Sequence, residues 1–156
     1  PNGDLFSKFE LMHILIFQMG KSLLPTCLIL YGDDKFELLT FGFSIKTTVY
    51  RKFTEIAKRI ESDKIVNVLF VTEMYTYDVL DINNLDSRER VKYAKSEILS
   101  FFMIDNKLTI RSRAYDTKKI DDFKYIASIM HSKSNEEELP KCMNPVLQEF
   151  MRLKTI

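Results

Sequence analysis

Two carboxylates and two arginines interrupt segments that otherwise read as buried strands. Glu73 sits late in Ile65-Val-Asn-Val-Leu-Phe-Val-Thr-Glu73-Met-Tyr-Thr-Tyr, and Glu97 opens Glu97-Ile-Leu-Ser-Phe-Phe-Met-Ile. Arg111 and Arg113 alternate along Leu108-Thr-Ile-Arg-Ser-Arg-Ala-Tyr, and Arg88 stands in the loop Ser87-Arg88-Glu-Arg90. Side chains alternate faces along a strand, so Glu73 shares a face with Leu69 and Val71, and Glu97 with Leu99, Phe101 and Met103. Two carboxylates brought within a few ångströms can divide acid and base roles, and an arginine beside them can hold an anionic substrate. That chemistry suits a small-molecule hydrolase with Glu73 and Glu97 as the catalytic candidates and Arg88, Arg111 and Arg113 as binding candidates. The competing reading is an ion-pair network that satisfies charges on a partly covered sheet face. It is favoured, because no histidine, serine nucleophile or metal-ligand spacing accompanies the group. Glu73 then needs a cationic partner, and Arg113 or Arg111 is expected ahead of Arg88, since strands fix side chains better than loops do.

The remaining chemical residue types are sparse. His13 lies in the middle of an apolar segment and reads as a core or interface histidine, and His131 has no neighbour of ligand type. Zinc needs three or four ligands, and neither histidine nor the pair Cys27 and Cys142 shows that spacing, so no metal and no cofactor is expected. Arg88, Arg90, Lys92 and Lys95 form the densest basic run, but Glu89 and Glu97 dilute it into a solvated loop. Tyr75, Tyr77, Tyr93 and Tyr115 lie near the ends of the central elements and could line a shallow pocket, although core packing accounts for aromatic content of this size.

Local signals set the elements that must position these residues. Ser7-Lys-Phe-Glu10 has the spacing of a capping box, and with Gly20 and Pro25 as a stop it predicts a helix over 7–19. That helix has little polar face, so it is either deeply buried or meets a second copy. Two apolar runs flank Gly32-Asp-Asp-Lys35 and predict a hairpin. Val49, Phe53, Ile56, Ala57 and Ile60 fall at helical spacing and predict a helix over 48–62, with Glu55 and Arg59 as an i, i+4 pair. Strands follow at 65–77, 96–104 and 108–115, the last two about Asp105-Asn-Lys107, with a loop and a short helical turn between 78 and 90. Residues 120–131 fit either a helix or an edge strand, and the helix is preferred. Asn144-Pro145 supplies a cap and a first-turn proline for a helix over 144–153. The fold class is therefore α+β: one domain over 1–156, with a mainly antiparallel sheet of about five strands covered by three or more helices. The halves on either side of the second helix join edge to edge or by a crossover.

At 156 residues, 46% hydrophobic and 29% charged, the chain has the composition of a globular domain rather than a disordered or fibrous one. A formal net charge of +1 gives no general attraction to nucleic acid or an anionic membrane. The run Phe9 to Phe17 contains Glu10 and His13 and is too short to span a bilayer. Only two cysteines, in no C-x-x-C pair, and no signal-peptide pattern fit a reducing cytoplasm, and a chain that begins at Pro1 points to a processed or truncated N-terminus.

Phe70-Val-Thr-Glu73-Met-Tyr, then Asp86-Ser-Arg-Glu, Glu97-Ile-Leu and Ile110-Arg-Ser-Arg113 resemble an uncharacterised group of small bacterial and phage proteins. In that group a strand ending in a Glu-aromatic step precedes an Asp/Pro/Arg loop and a Glu-led strand. Met74 stands where the group has a small residue, and Ser87 where it has proline. The resemblance covers about 50 residues and implies a compact α+β domain in which Glu73, Arg88 and Glu97 form a linked set. The resulting expectation is a non-enzymatic interaction or structural domain, with a protein partner or a second copy of itself. The hydrolase built on Glu73 and Glu97 is the alternative.

Overall fold

The computed structural model describes residues 4–19, 23–41, 46–77, 94–120, 123–129 and 138–156. Helix α1 (Leu5–Gln18) precedes a hairpin of β1 (Thr26–Tyr31) and β2 (Phe36–Thr40), and α2 (Lys46–Arg59) follows. A meander of β3 (Ile65–Tyr77), β4 (Ala94–Asp105), β5 (Ile110–Ile120) and β6 (Phe123–Ile129) comes next. A 3-10 turn over Lys141–Met143 then leads into α3 (Asn144–Lys154). The strands form one antiparallel sheet in the order β2-β1-β3-β4-β5-β6. The fold is α+β, as the sequence predicts.

The turns follow from short polar side chains that bond to their own backbone. Asp34 adopts a φ of 66° at the β1–β2 corner, where the Asp33 carboxylate accepts the Lys35 amide. At the β4–β5 corner, one oxygen of Asp105 accepts the amides of Lys107 and Thr109, each at 2.9 Å, and Leu108 takes a φ of 64°. The two halves of the sheet join by a crossover. β2 and β3 both run antiparallel to β1, so α2 carries the chain over β1 and returns it to β1's other side.

Alternation along the strands separates two cores. Cys27, Ile29, Val68, Phe70 and Ile104 face α2 and α3, meeting Phe53, Ile56, Ile60, Val146 and Phe150. The Phe53 and Phe70 rings meet edge to face at 4.9 Å, a favoured aromatic geometry. Leu69, Val71, Leu99, Phe101, Met103 and Tyr115 face the other way and pack under Phe6, Phe9 and Phe17 of α1. The sheet is thus the middle of three layers.

Four local expectations need correction. Residues 123–129 form a strand, not a helix, which makes six strands instead of five. Tyr125 and Ala127 are exposed while Lys124 and Ile126 turn inward, a period of two that pairing along β5 stabilises over the weaker helical pattern. Helix α1 starts at Leu5, capped by Asp4, whose carboxylate accepts the Phe6 amide at 3.0 Å. The capping box through Ser7 is not used, because Glu10 is drawn into the sheet interface. Asn144 is the first helical residue rather than the cap, since the 3-10 turn already leads the chain in. Arg59 pairs with Asp63 and Glu37, not Glu55, which meets Lys52. The loop and helical turn expected between 78 and 90 lie outside the described residues.

Candidate functional site

Of the charged side chains singled out by the sequence, Glu73, Glu97, Arg111 and Arg113 lie on one sheet face, beneath α1, but in two separate groups. Register aligns Phe101 with Arg113, Met103 with Arg111 and Leu99 with both Glu73 and Tyr115. Arg111 and Arg113 therefore emerge where Phe6 and the start of α1 cross the sheet, and Glu73 emerges nearer its end, where Phe17 lies.

At the first group, Arg111 forms an ion pair with the cap residue Asp4, and its guanidinium lies 4.7 Å from the centre of the Phe6 ring. The Arg111 hydrogen bond holds the Asp4 carboxyl below its ordinary range. One turn further along α1, the buried Glu10 accepts the Tyr115 hydroxyl at 2.5 Å and Arg113 at 3.2 Å. Burial raises the Glu10 pKa, and these two donors only partly offset it. Burial also raises the Tyr115 pKa, as does the carboxylate that its hydroxyl serves. His13 is buried one turn on, with Nδ1 2.9 Å from the Phe9 carbonyl oxygen, and burial lowers its pKa.

At the second group, the Lys124 ammonium donates to both oxygens of Glu73, at 3.1 and 3.3 Å, and to Glu97 at 3.2 Å. It lies 5.3 Å from the Phe17 ring centre. Burial, then the hydrogen bond from Glu97, pushes the Glu73 carboxyl up to about 7, against the pull of Lys124. Burial opposes the charge on Lys124, but Glu73 and Glu97 outweigh it and keep the ammonium above the ordinary lysine value. Two carboxylates that share a hydrogen bond and one cation can hold a single proton between them near neutral pH.

Glu73 and Glu97 meet as expected. The partner of Glu73 is Lys124, however, not Arg113 or Arg111, which α1 claims through Glu10 and Asp4. Arg88 lies outside the described residues, as do His131, Tyr93 and the side chains of Tyr75 and Tyr77. Tyr115 is buried against Glu10 and does not line an open pocket. Lys124 and Asp4, which the sequence pattern does not single out, and Glu10 and Tyr115, to which it gives other roles, complete the two groups. A period-two reading of 123–129 would have turned Lys124 inward, and a carboxylate inside the apolar α1 was the trace of a buried partner.

Open depressions lie elsewhere. One of about 510 Å³ sits at the β1–β2 turn, at the far end of β3 from Glu73, and is lined by Tyr31, Phe36, Glu37, Lys64 and neighbours. Arg59 braces its wall, donating to the Tyr31 hydroxyl at 2.7 Å and to Asp63 at 2.9 Å. Lys35, Lys64, Asp33 and Asp63 all line it, a mixture that favours neither sign of ligand. Among the described residues no group of three or more His, Cys, Asp or Glu is placed to hold a metal ion. Burial raises the Cys27 thiol far above its ordinary pKa, which leaves no thiolate at neutral pH. No described helix is long and apolar enough to cross a membrane.

Compared with family models, curated proteins and solved structures, the chain finds no match.

Proposed function

We propose that this protein is a protein-interaction domain that binds through the outer face of α1. The observation that carries this reading is that α1 is apolar on both sides. Its inner face buries Phe6, Phe9 and Phe17, while Leu11, Leu15 and Met19, at intervals of four residues, remain 60%, 55% and 66% exposed, with Met12 beside them. Lys8 is the only charged side chain on the outward side of the helix. A helix with one side in water normally carries a polar face there, and contiguous exposed apolar surface marks a partner site.

Leu15→Lys tests the reading. The substitution faces solvent, so the circular dichroism spectrum and Tm should be those of the parent. Association measured by light scattering, and binding of amphipathic helical peptides measured by fluorescence anisotropy, should be lost. A parent protein that neither associates nor binds such peptides refutes the proposal.

A second reading is supported by the Glu73 carboxyl, lifted to about 7 beside Glu97. A carboxyl that exchanges its proton near neutral pH is suited to general acid-base work in a small-molecule hydrolase, with Lys124 in the place expected of an arginine. Lys124 already spans both carboxylates, which favours the structural role. Turnover of a small ester or anhydride, abolished by Glu73→Gln without loss of fold, would reverse that preference.

A further inference from the structure

The two faces of the sheet are covered unequally. Six strands about 4.8 Å apart make a surface roughly 24 Å wide, enough for two helices whose axes lie about 10 Å apart. On one face α2 and α3 fill that width and pack on each other. On the other, the described residues supply α1 alone, which reaches from β3 to β6, half-covers β1 and leaves the β2 side chains on this face exposed. Register places Leu38 opposite Leu28, and Phe36 opposite Leu30, on this face. Leu28 and Leu30 pack against the flank of the α1 core, whereas Phe36 is 71% exposed and Leu38 half-exposed. The outcome is an apolar shelf floored by Phe36 and Leu38 of β2 and the half-buried Leu28 and Leu30 of β1, with α1 beside it.

We infer that the shelf is filled by α1 of a second copy of this chain, the two molecules stacking with their α1 faces together so that each helix lies on the other's shelf. This inference rests on the interaction reading above. The described residues present both halves of the contact: a helix whose outer stripe needs cover, and an apolar sheet surface beside it with no helix upon it. In the stack each α1 lies between two sheets, the environment that a helix apolar on both sides requires. Packing the outer stripes only against each other would leave both shelves bare, and pairing β2 edge to edge would leave both stripes bare. Stripe on shelf covers all four, as a self-complementary two-fold interface does.

The area is sufficient. Leu11, Met12, Leu15, Met19, Phe36 and Leu38 each show about half of their surface or more. Together this is on the order of 600 Å² per copy, at the top of the range for a monomer's largest apolar patch. Two such patches reach the ~1,200 Å² at which specific stable interfaces begin. With a formal net charge of +1, repulsion between copies is slight.

Light scattering on the full chain across a concentration series tests the inference, with twice the 18.4 kDa chain mass as the expected result. Leu15→Asp on the stripe and Phe36→Asp on the shelf should each give a folded monomer with the parent's circular dichroism spectrum, its Tm lowered only by the stability that association adds, since both positions face solvent within one copy. An equimolar mixture of the two variants should recover dimer in part, because one keeps an intact stripe and the other an intact shelf. A dimer that survives Phe36→Asp, or variants that fail to associate on mixing, overturns stripe-on-shelf packing. A parent that stays monomeric yet binds helical peptides through Leu15 overturns the second copy and leaves the interaction reading standing. A parent that does neither overturns both.

Discussion

Replacing Lys124 by Met should destabilise the fold by an amount that depends strongly on pH. Lys124 is the cation held between Glu73 and Glu97 among the described residues, and its side chain and that of Glu73 keep only 16% and 11% of their surface. Removing one partner from a buried ion pair typically costs about 3–5 kcal/mol, and partial exposure of Glu97 places this case at about 3 kcal/mol at pH 8, above the value of about 7 for Glu73. At pH 5 the proton of Glu73 removes the uncompensated charge, so the loss should fall to about 1 kcal/mol. The sign follows from linkage: a carboxyl whose folded pKa is raised contributes stability that is fully present below its unfolded pKa. That contribution is lost as pH rises through the folded value, about 7 for Glu73. Without Lys124, whose charge pulls the Glu73 pKa down, the folded value rises further and the loss with pH steepens. Urea melts at pH 5 and pH 8 on parent, Lys124→Met, Glu73→Gln and the double variant give the full cycle. Glu73→Gln should flatten the parent's pH dependence over this range, and the double variant should recover most of the loss at pH 8. Equal losses at the two pH values, or a loss under about 1 kcal/mol at pH 8, would refute Lys124 as the countercharge of this pair.

Tyr115→Phe removes the hydroxyl donated to buried Glu10 and should lower stability by about 1–3 kcal/mol in thermal melts, with the Glu10 pKa rising further. Ile126→Asp in β6 should destabilise by about 2 kcal/mol or more while Tyr125→Asp stays within ~0.5 kcal/mol of the parent, because of the two only Ile126 packs against the α1 core. Similar effects at both positions would argue against the period-two placement.

Much of the architecture was legible in local sequence. Hairpin corners at Asp33-Asp34 and Asp105-Asn106 announce themselves through side chains that bond their own backbone, a short-range cause that needs no tertiary partner. The spacing of Val49, Phe53, Ile56 and Ile60 similarly fixes α2 and the face it buries. Alternation placed Glu73 with Val71, and Glu97 with Leu99, on one side of the sheet. It could not say which cation would reach them. That depended on β6 pairing with β5, which carries Lys124, 27 residues after Glu97, to the carboxylates, and on α1 crossing the same face and occupying both arginines. Residues 120–131 misled for the same reason, since helical and strand patterns are nearly balanced there and pairing along β5 tips the outcome. Glu10 was read as a cap because a capping box is a local pattern, whereas its partners Tyr115 and Arg113 lie more than a hundred residues away. The sequence by itself determined that α1 is apolar nearly all round, because that is a property of residue types at helical spacing. Only the tertiary structure decided that one face meets the sheet, that the other is exposed, as Phe36 and Leu38 of β2 are, and that the buried charges divide into two groups. Those outcomes turn on which distant elements share a surface, and that is set by the packing of the whole chain rather than by any window of it.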